Sequence, residues 1–432
     1  MPLKTSPSRR TFLTLTAGAG LASVAHAGEA PTLPARPDVA AQDLATNENY
    51  WAKISAQYSV TPAIHNIENG YWGIMAAPVM NAYRAHTDKV NRENTFYARG
   101  AFNQDIEKVY ARLARFLDVA PDELLLTRGA SEALQILIGG YNKLKPGDAV
   151  LYADLDYSAM KSAMQWLADR RGVKVIKIDL PEPANRDNII DAYARAFEAH
   201  PNLKMALVTH VNNLTGLIHP VREIAALAKS HGIDIILDSA HAIGQIDFDL
   251  SALGVDFVGI NLHKWIGAPI GCGLAYIKKP RIPDIDRFMN EPGAADNIRA
   301  RAHTGTLNFA AHLTIPDALD FHEAIGIDAK EARLRYLRNL WVGEARANRD
   351  VQILTPDDPA MVAAMTSFRY RNRRTTEENN AIAHELAKKH GLFTVRRTGP
   401  AAGDCIRVTP ALYNSAQDMA RIAPALKALA LA

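Results

Sequence analysis

The sequence predicts an α/β fold, with a large domain built on a mostly parallel sheet flanked by helices and a smaller α+β domain at the C-terminus. Three observations carry this expectation. Short apolar runs at Ala149–Tyr152, Val173–Ile178, Met205–Thr209, Ile233–Leu237 and Phe257–Ile260 alternate with amphipathic stretches such as Ser158–Ala168 and Val221–Ser230. Several of the runs end in polar residues, as strands of a ligand-binding parallel sheet do at their carboxyl ends. From about Pro316 the character changes. Arg- and Glu-rich helical periodicity runs from Asp317 to Asn348, followed by short strands (Met365–Tyr370, Phe393–Arg396, Cys405–Thr409) and helices at Thr376–His390 and Ser415–Ala430.

The chain of 432 residues is 48% hydrophobic and 22% charged with a formal net charge of +3, which is ordinary globular composition. The near balance of charge argues against nucleic acid as a partner. Two cysteines, Cys272 and Cys405, are too few for a disulfide framework, and their spacing gives no metal site. The expected organisation is an export signal at 1–27, a flexible lead-in at 28–46, a segment at 47–80 packing near the small domain, the large domain at 81–315 and the small domain at 316–432.

The signal rests on Ser8-Arg9-Arg10-Thr11-Phe12-Leu13, a twin-arginine pattern, followed by the weakly apolar Leu13–Val24 and by Ala25-His26-Ala27, which resembles a cleavage site. It predicts passage through the twin-arginine translocation machinery to the periplasm. The apolar stretch is too short and too rich in Ala and Gly to span a membrane, so a soluble product without stable membrane insertion is expected.

Taken in order, Ile67–Pro78 reads as a loop, with Gly70, Gly73 and Pro78 breaking regular structure and Tyr71-Trp72 available to close a pocket. Gln104–Leu117 reads as a helix. Leu124-Leu125-Leu126 then gives a short strand, Gly129 a turn, and Ala130-Ser131 a helix start. Unpaired N–H groups there would suit a phosphate or an ordinary cap. Tyr157 follows a strand and could stack on a flat ring or pack at the core edge. Asn213 lies in a second polar strand end.

The centre of the pattern is Ile233-Asp234-Ile235-Ile236-Leu237-Asp238-Ser239-Ala240-His241, then Phe257-Val258-Gly259-Ile260-Asn261-Leu262-His263-Lys264. A lysine just past a buried strand would be partly desolvated, which lowers its pKa and makes it a nucleophile. An aspartate at a neighbouring strand end is what the pyridine nitrogen of pyridoxal 5'-phosphate (PLP) requires, although alone it could simply cap the next helix. Together the two predict a PLP site with a Schiff-base lysine.

These motifs resemble those of class V aminotransferases among the fold-type I PLP enzymes, along nearly the whole mature length, and most of all the isopenicillin N epimerase-like branch, including exported members that tailor siderophores such as pyoverdine. The resemblance implies that Lys264 carries the cofactor and Asp238 faces its ring nitrogen. It places Tyr157 against the ring, where related desulfurases carry histidine. His241 would lie near the phenolic oxygen, and Asn213 would help orient the ring. Ala130 (through its backbone), Ser131, Asn261 and His263 would hold the phosphate. Thr306 would reach the phosphate of a neighbouring subunit, implying a homodimer with shared sites. Arg407 would clamp a substrate α-carboxylate.

The chain departs from the desulfurase pattern, because Arg396–Gly403 offers no catalytic cysteine and Cys405 begins a strand. Ala130 stands where many relatives carry threonine. The expected function is therefore action on the amino group of an amino acid or amino-acid-like amine, a siderophore peptide being one candidate carrier, by transamination or a related modification. Epimerisation or a C–S or C–N lyase reaction is the alternative, since epimerisation needs a second acid that the sequence does not show. A non-catalytic PLP-binding protein would need none of Asp238, His241 and Lys264.

Overall fold

The computed structural model describes residues 32–303 and 305–430. The expected export signal at 1–27 therefore lies outside the described residues. Seven strands form the large sheet in the order Leu124–Thr127, Gly273–Ile277, Phe257–Asn261, Asp234–Asp238, Leu203–Thr209, Ala149–Ala153, Lys174–Ile178. All neighbours pair parallel except Gly273–Ile277, which runs antiparallel to both of its own.

Strand alternation sorts the core onto two faces. Leu151, Leu237, Val258 and Ile260 pack on one side, with the helix Phe102–Leu117. Val150, Ile236 and Phe257 pack on the other, with the helices Ala130–Gly140 and Ser158–Arg171. The sheet is thus covered on both faces, as near-continuous apolar strands require. The carboxyl ends of Leu203–Thr209, Asp234–Asp238 and Phe257–Asn261 lie side by side and deliver the polar clusters to one place.

A second, antiparallel sheet runs Val395–Arg397, Cys405–Val408, Thr366–Tyr370, Val351–Ile353. It has its own core of Leu337, Trp341, Phe368, Leu386, Ile406 and Leu426.

Several expectations are corrected here. The lead-in 28–46 is not loose where it is described. Arg36 makes a bidentate pair with Asp328 at 2.7 and 2.6 Å, and the short helix Ala41–Ala45 buries Leu44 completely. The helical stretch 317–348 is two helices, Ile315–Ile325 and Ile327–Ala347, broken at Gly326. Its φ of +88° is left-handed, and a Cβ there would overlap Arg36. The core does not change at 315/316 either. Leu319, Phe321 and Leu334 pack into the large core, and only from Leu337 does the second helix face the small one. The helix Ala77–Arg99 crosses the expected limit at 80.

Residues 47–80 touch both bodies. Trp51 and Ile54 enter the large core, Ile67 enters the small one, and His65–Asn66 pairs with Leu392–Phe393. Gly73 locks this segment onto the lysine loop. Its N–H donates to the His263 carbonyl at 2.8 Å, and a Cβ there would overlap the Lys264 carbonyl.

Candidate active site

The strand ends open into a cavity of about 440 Å³. It is lined by ten of the residues singled out in the sequence or their immediate neighbours: Gly129, Ala130, Ser131, Tyr157, Asn213, Asp238, His241, Asn261, His263 and Lys264.

Lys264 keeps some accessible surface where it borders the cavity, but protein walls surround it. Burial pulls its pKa down to about 7, against the opposing pull of Asp238. Its Nζ lies 2.8 Å from Nε2 of His241, which is 2% exposed and whose own pKa burial pushes well below the ordinary value. The Trp265 indole N–H donates to His241 Nδ1 at 3.2 Å. A neutral imidazole that accepts at Nδ1 carries its proton on Nε2. Nε2–H then donates to Lys264, and only an unprotonated amine can accept. The hydrogen-bond chain Trp265–His241–Lys264 therefore favours the neutral, nucleophilic lysine. Sequence reading gave Trp265 no role.

Asp238 is 4% exposed. Its Oδ1 accepts from the Ala240 N–H at 3.0 Å, the local turn that a merely structural aspartate would make. Oδ2 has no hydrogen bond among the described residues, and the residue borders the cavity. Burial raises its pKa, while the Ala240 N–H and the charge of Lys264 lower it.

At the other end, the helix Ala130–Gly140 points its first turn at the cavity. The Ala130 N–H was expected to be a free phosphate donor. It donates instead to Asn261 Oδ1 at 2.7 Å, which ties the helix start to the strand Phe257–Asn261. The N–H groups of Ser131 and Glu132 and the Ser131 hydroxyl remain available. His263 Nδ1 is 2.8 Å from the Cys272 carbonyl, which sets the ring's orientation. Gly129 leaves this end open, since a Cβ there would come 2.9 Å from Asn261 Oδ1 and 3.0 Å from His263 Cε1.

Tyr157 precedes the helix Ser158–Arg171 and is 39% exposed, so it borders the cavity instead of packing at the core edge. Asn213 is buried with its Oδ1 unpartnered.

Two expected residues fall elsewhere. Arg407 does not border the cavity and is 0% exposed. Its Nε and Nη2 pair with the Glu68 carboxylate, and its Nη1 donates to the Asn213 carbonyl at 2.6 Å. The expected clamp thus has its fork taken up by Glu68 and the Asn213 carbonyl in this structure. Thr306 is exposed and away from the cavity of its own chain. Cys405 is buried, and burial pushes its thiol up to about 12, so the nearest cysteine is no thiolate nucleophile.

The residues present fit PLP. A largely desolvated lysine, a half-free buried carboxylate, open N–H donors with a hydroxyl at a helix start, and an orphaned amide oxygen face one cavity. Fold and site together define a lysine-centred PLP enzyme.

The Aminotransferase class-V family model matches residues 76–422, and the chain belongs to that family. It is 26% identical to the isopenicillin N epimerase of Amycolatopsis lactamdurans over 88% of this chain and 98% of that protein. To a probable cysteine desulfurase of Methanothermobacter thermautotrophicus it is 26% identical over 56% of this chain and 64% of that one. The fold is shared with a cysteine desulfurase of Escherichia coli (TM-score 0.75, 19% identity, 88% and 98% of the two chains). It is also shared with the cystine C–S lyase C-DES (TM-score 0.74, 19% identity, 84% and 97%).

Proposed function

We propose that the chain acts on the amino group of an amino acid or amino-acid-like amine, most simply by transamination. The observation that carries this is Lys264 Nζ, 2.8 Å from His241 Nε2 at the cavity that Asp238 also borders. PLP, when bound, supplies an aldehyde to hold an amine and a ring that draws electrons from the adjoining carbon. This chain's residues supply the remainder. Lys264 Nζ takes the proton from the substrate Cα, a task suited to an amine whose pKa is about 7. Asp238 would keep a proton on the ring nitrogen. Ser131, Asn261 and His263 would hold the phosphate, Tyr157 would lie against the ring, and Asn213 would orient it.

Transamination needs a single base, and Lys264 suffices. Epimerisation is the second reading, favoured by the likeness to isopenicillin N epimerase along 98% of that protein. Incubation of the purified holoenzyme with candidate amines and oxo acids, read by mass and chirality, separates the two. New oxo products support transfer, and unchanged mass with inverted stereochemistry supports epimerisation.

The twin-arginine pattern at Arg9-Arg10 supports export to the periplasm, where a siderophore peptide is a candidate amine carrier. Replacing both arginines by lysine should trap a folded precursor in the cytoplasm. We also read Thr306 as serving the phosphate site of a second subunit. Mixing inactive Lys264→Ala with a Thr306 variant under subunit exchange should then restore part of the activity, and continued inactivity after proven exchange would count against it.

A further inference from the structure

A second buried carboxyl stands behind the Asp238 end of the cavity, and the reaction described above gives it no task. Asp156 follows the strand Ala149–Ala153 and is 2% exposed. Its Oδ2 accepts from the Ala153 N–H at 2.7 Å, and its Oδ1 lies 2.6 Å from the Thr209 hydroxyl. In the sheet, Leu203–Thr209 runs between Ala149–Ala153 and Asp234–Asp238, with Thr209 in register with Asp238. Thr209 and Asp238 both border the 440 Å³ cavity. Thr209 thus stands between one carboxyl and the cavity that the other borders.

The groups around Asp156 do little to offset a charge on it. Both of its hydrogen-bond partners are neutral, and it forms no ion pair among the described residues. Lys161, on the helix Ser158–Arg171, favours the charge but is tied to the Asp154 carbonyl at 2.7 Å. Asp154 turns its own carboxylate to the N–H groups of Leu180 and Ala401. Tyr193, on the helix Arg186–Ala199, is buried with its hydroxyl unpartnered, and burial keeps it a neutral phenol. Burial raises the Asp156 pKa to about 7 against the pull of Thr209 and Ala153, and the charge of Asp238 adds to the rise. Two buried carboxyls this close do not both ionise readily. Asp238 has Lys264 to favour its charge, so the proton belongs on Asp156. A neutral Asp156 donates its O–H to Thr209 Oγ, which frees the Thr209 hydrogen to point elsewhere.

We propose that Asp156 is a positioning residue that keeps a proton in cofactor-free enzyme and releases it when a cationic ring settles against Asp238. This rests on the PLP chemistry proposed above. A protonated ring nitrogen is a buried cation, and a cation favours the ionised form of each carboxyl near it. The proton leaves Asp156 Oδ1 for solvent, and Thr209 turns to donate to the carboxylate left behind. The ring nitrogen then feels two negative charges in place of one, which makes it more basic. Asp156 touches no reacting atom and acts through Thr209 and Asp238.

The test counts protons in a pH-stat as PLP is added to cofactor-free wild type and Asp156→Asn. At pH 6 the wild type should release more protons per site than the variant, by roughly one half to one. At pH 8.5, above the Asp156 value of about 7, that residue is ionised before PLP arrives, and the excess should vanish. Infrared difference spectra follow the same proton without needing the variant to fold. The carbonyl band of a carboxylic acid should be present in cofactor-free wild type at pH 6 and disappear when PLP is added. Asp156→Asn should lack it from the start. Equal release by the two proteins at pH 6, or a wild-type band that PLP does not remove, overturns the proposal. A band that persists in Asp156→Asn puts the proton on Asp238 and overturns it as well. Borohydride labelling separates this failure from that of the underlying reading. If wild type carries no label at Lys264, both fall. If the label is present and the release is equal, only the role of Asp156 falls.

Discussion

Two lysines in this chain have nearly the same titration and different surroundings. Burial pulls both Lys264 and Lys330 down to about 7. Lys330, 6% exposed on the helix Ile327–Ala347, donates to the Trp265 carbonyl and lies 3.3 Å from His322 Nδ1. It borders only a crevice of about 40 Å³, too small for any substrate. Lys264 faces 440 Å³, a carboxylate with a free oxygen and a histidine whose tautomer is set from behind. A depressed pKa thus records burial in both cases. The cavity and the oriented partners make one of them a site. Lys330 also supports the other, since the carbonyl it holds belongs to the residue after Lys264.

The largest effect should separate the two lysines outright. Lys264→Ala should lower turnover by about 10²–10⁴ or more, the range for loss of a general base, while Lys330→Met stays within several-fold of wild type. Asp238→Asn should resemble Lys264→Ala in turnover yet remain folded. Steady-state rates with thermal melts check all three, and equal losses at both lysines would erase the distinction.

A smaller effect tests how Lys264 is kept neutral. In cofactor-free enzyme, the rate of Lys264 acylation should rise as pH passes through about 7. Trp265→Phe frees His241 to take the tautomer that accepts from an ammonium. This favours the charged lysine, and the midpoint should move upward. A midpoint that does not move would mean that burial alone sets it.

The smallest effect concerns stability. Folded Lys330 releases its proton near pH 7, whereas the ordinary lysine value is 10.5. Between those values the unfolded chain binds the extra proton, so raising the pH favours the folded state. Urea midpoints at pH 7 and 9.5 should show this slope in wild type and a shallower one in Lys330→Met.

Much of the site could be read locally. Asp238, His241, Asn261, His263 and Lys264 were legible because apolar strands with period-two or continuous burial end in polar residues, and parallel strands bring such ends together. The strand Gly273–Ile277 was not, because five buried residues after a glycine-rich turn carry no periodicity of their own. The helix Ala77–Arg99 was missed for the opposite reason. Among its 23 residues only Val79 and Tyr97 are buried, so it shows no apolar stripe.

By itself, the sequence determined the α/β layers, the cluster around Lys264 and the chemistry that such a cluster invites. These depend on side chains close along the chain or at successive strand ends. Tertiary structure alone decided which polar groups were already taken. Asn261 claims the Ala130 N–H from 131 residues away, and Glu68 claims Arg407 from 339 residues away. The physical reason is that a charge or an N–H binds whatever partner the fold brings within about 3 Å, and that pairing depends on how distant segments pack and not on local pattern.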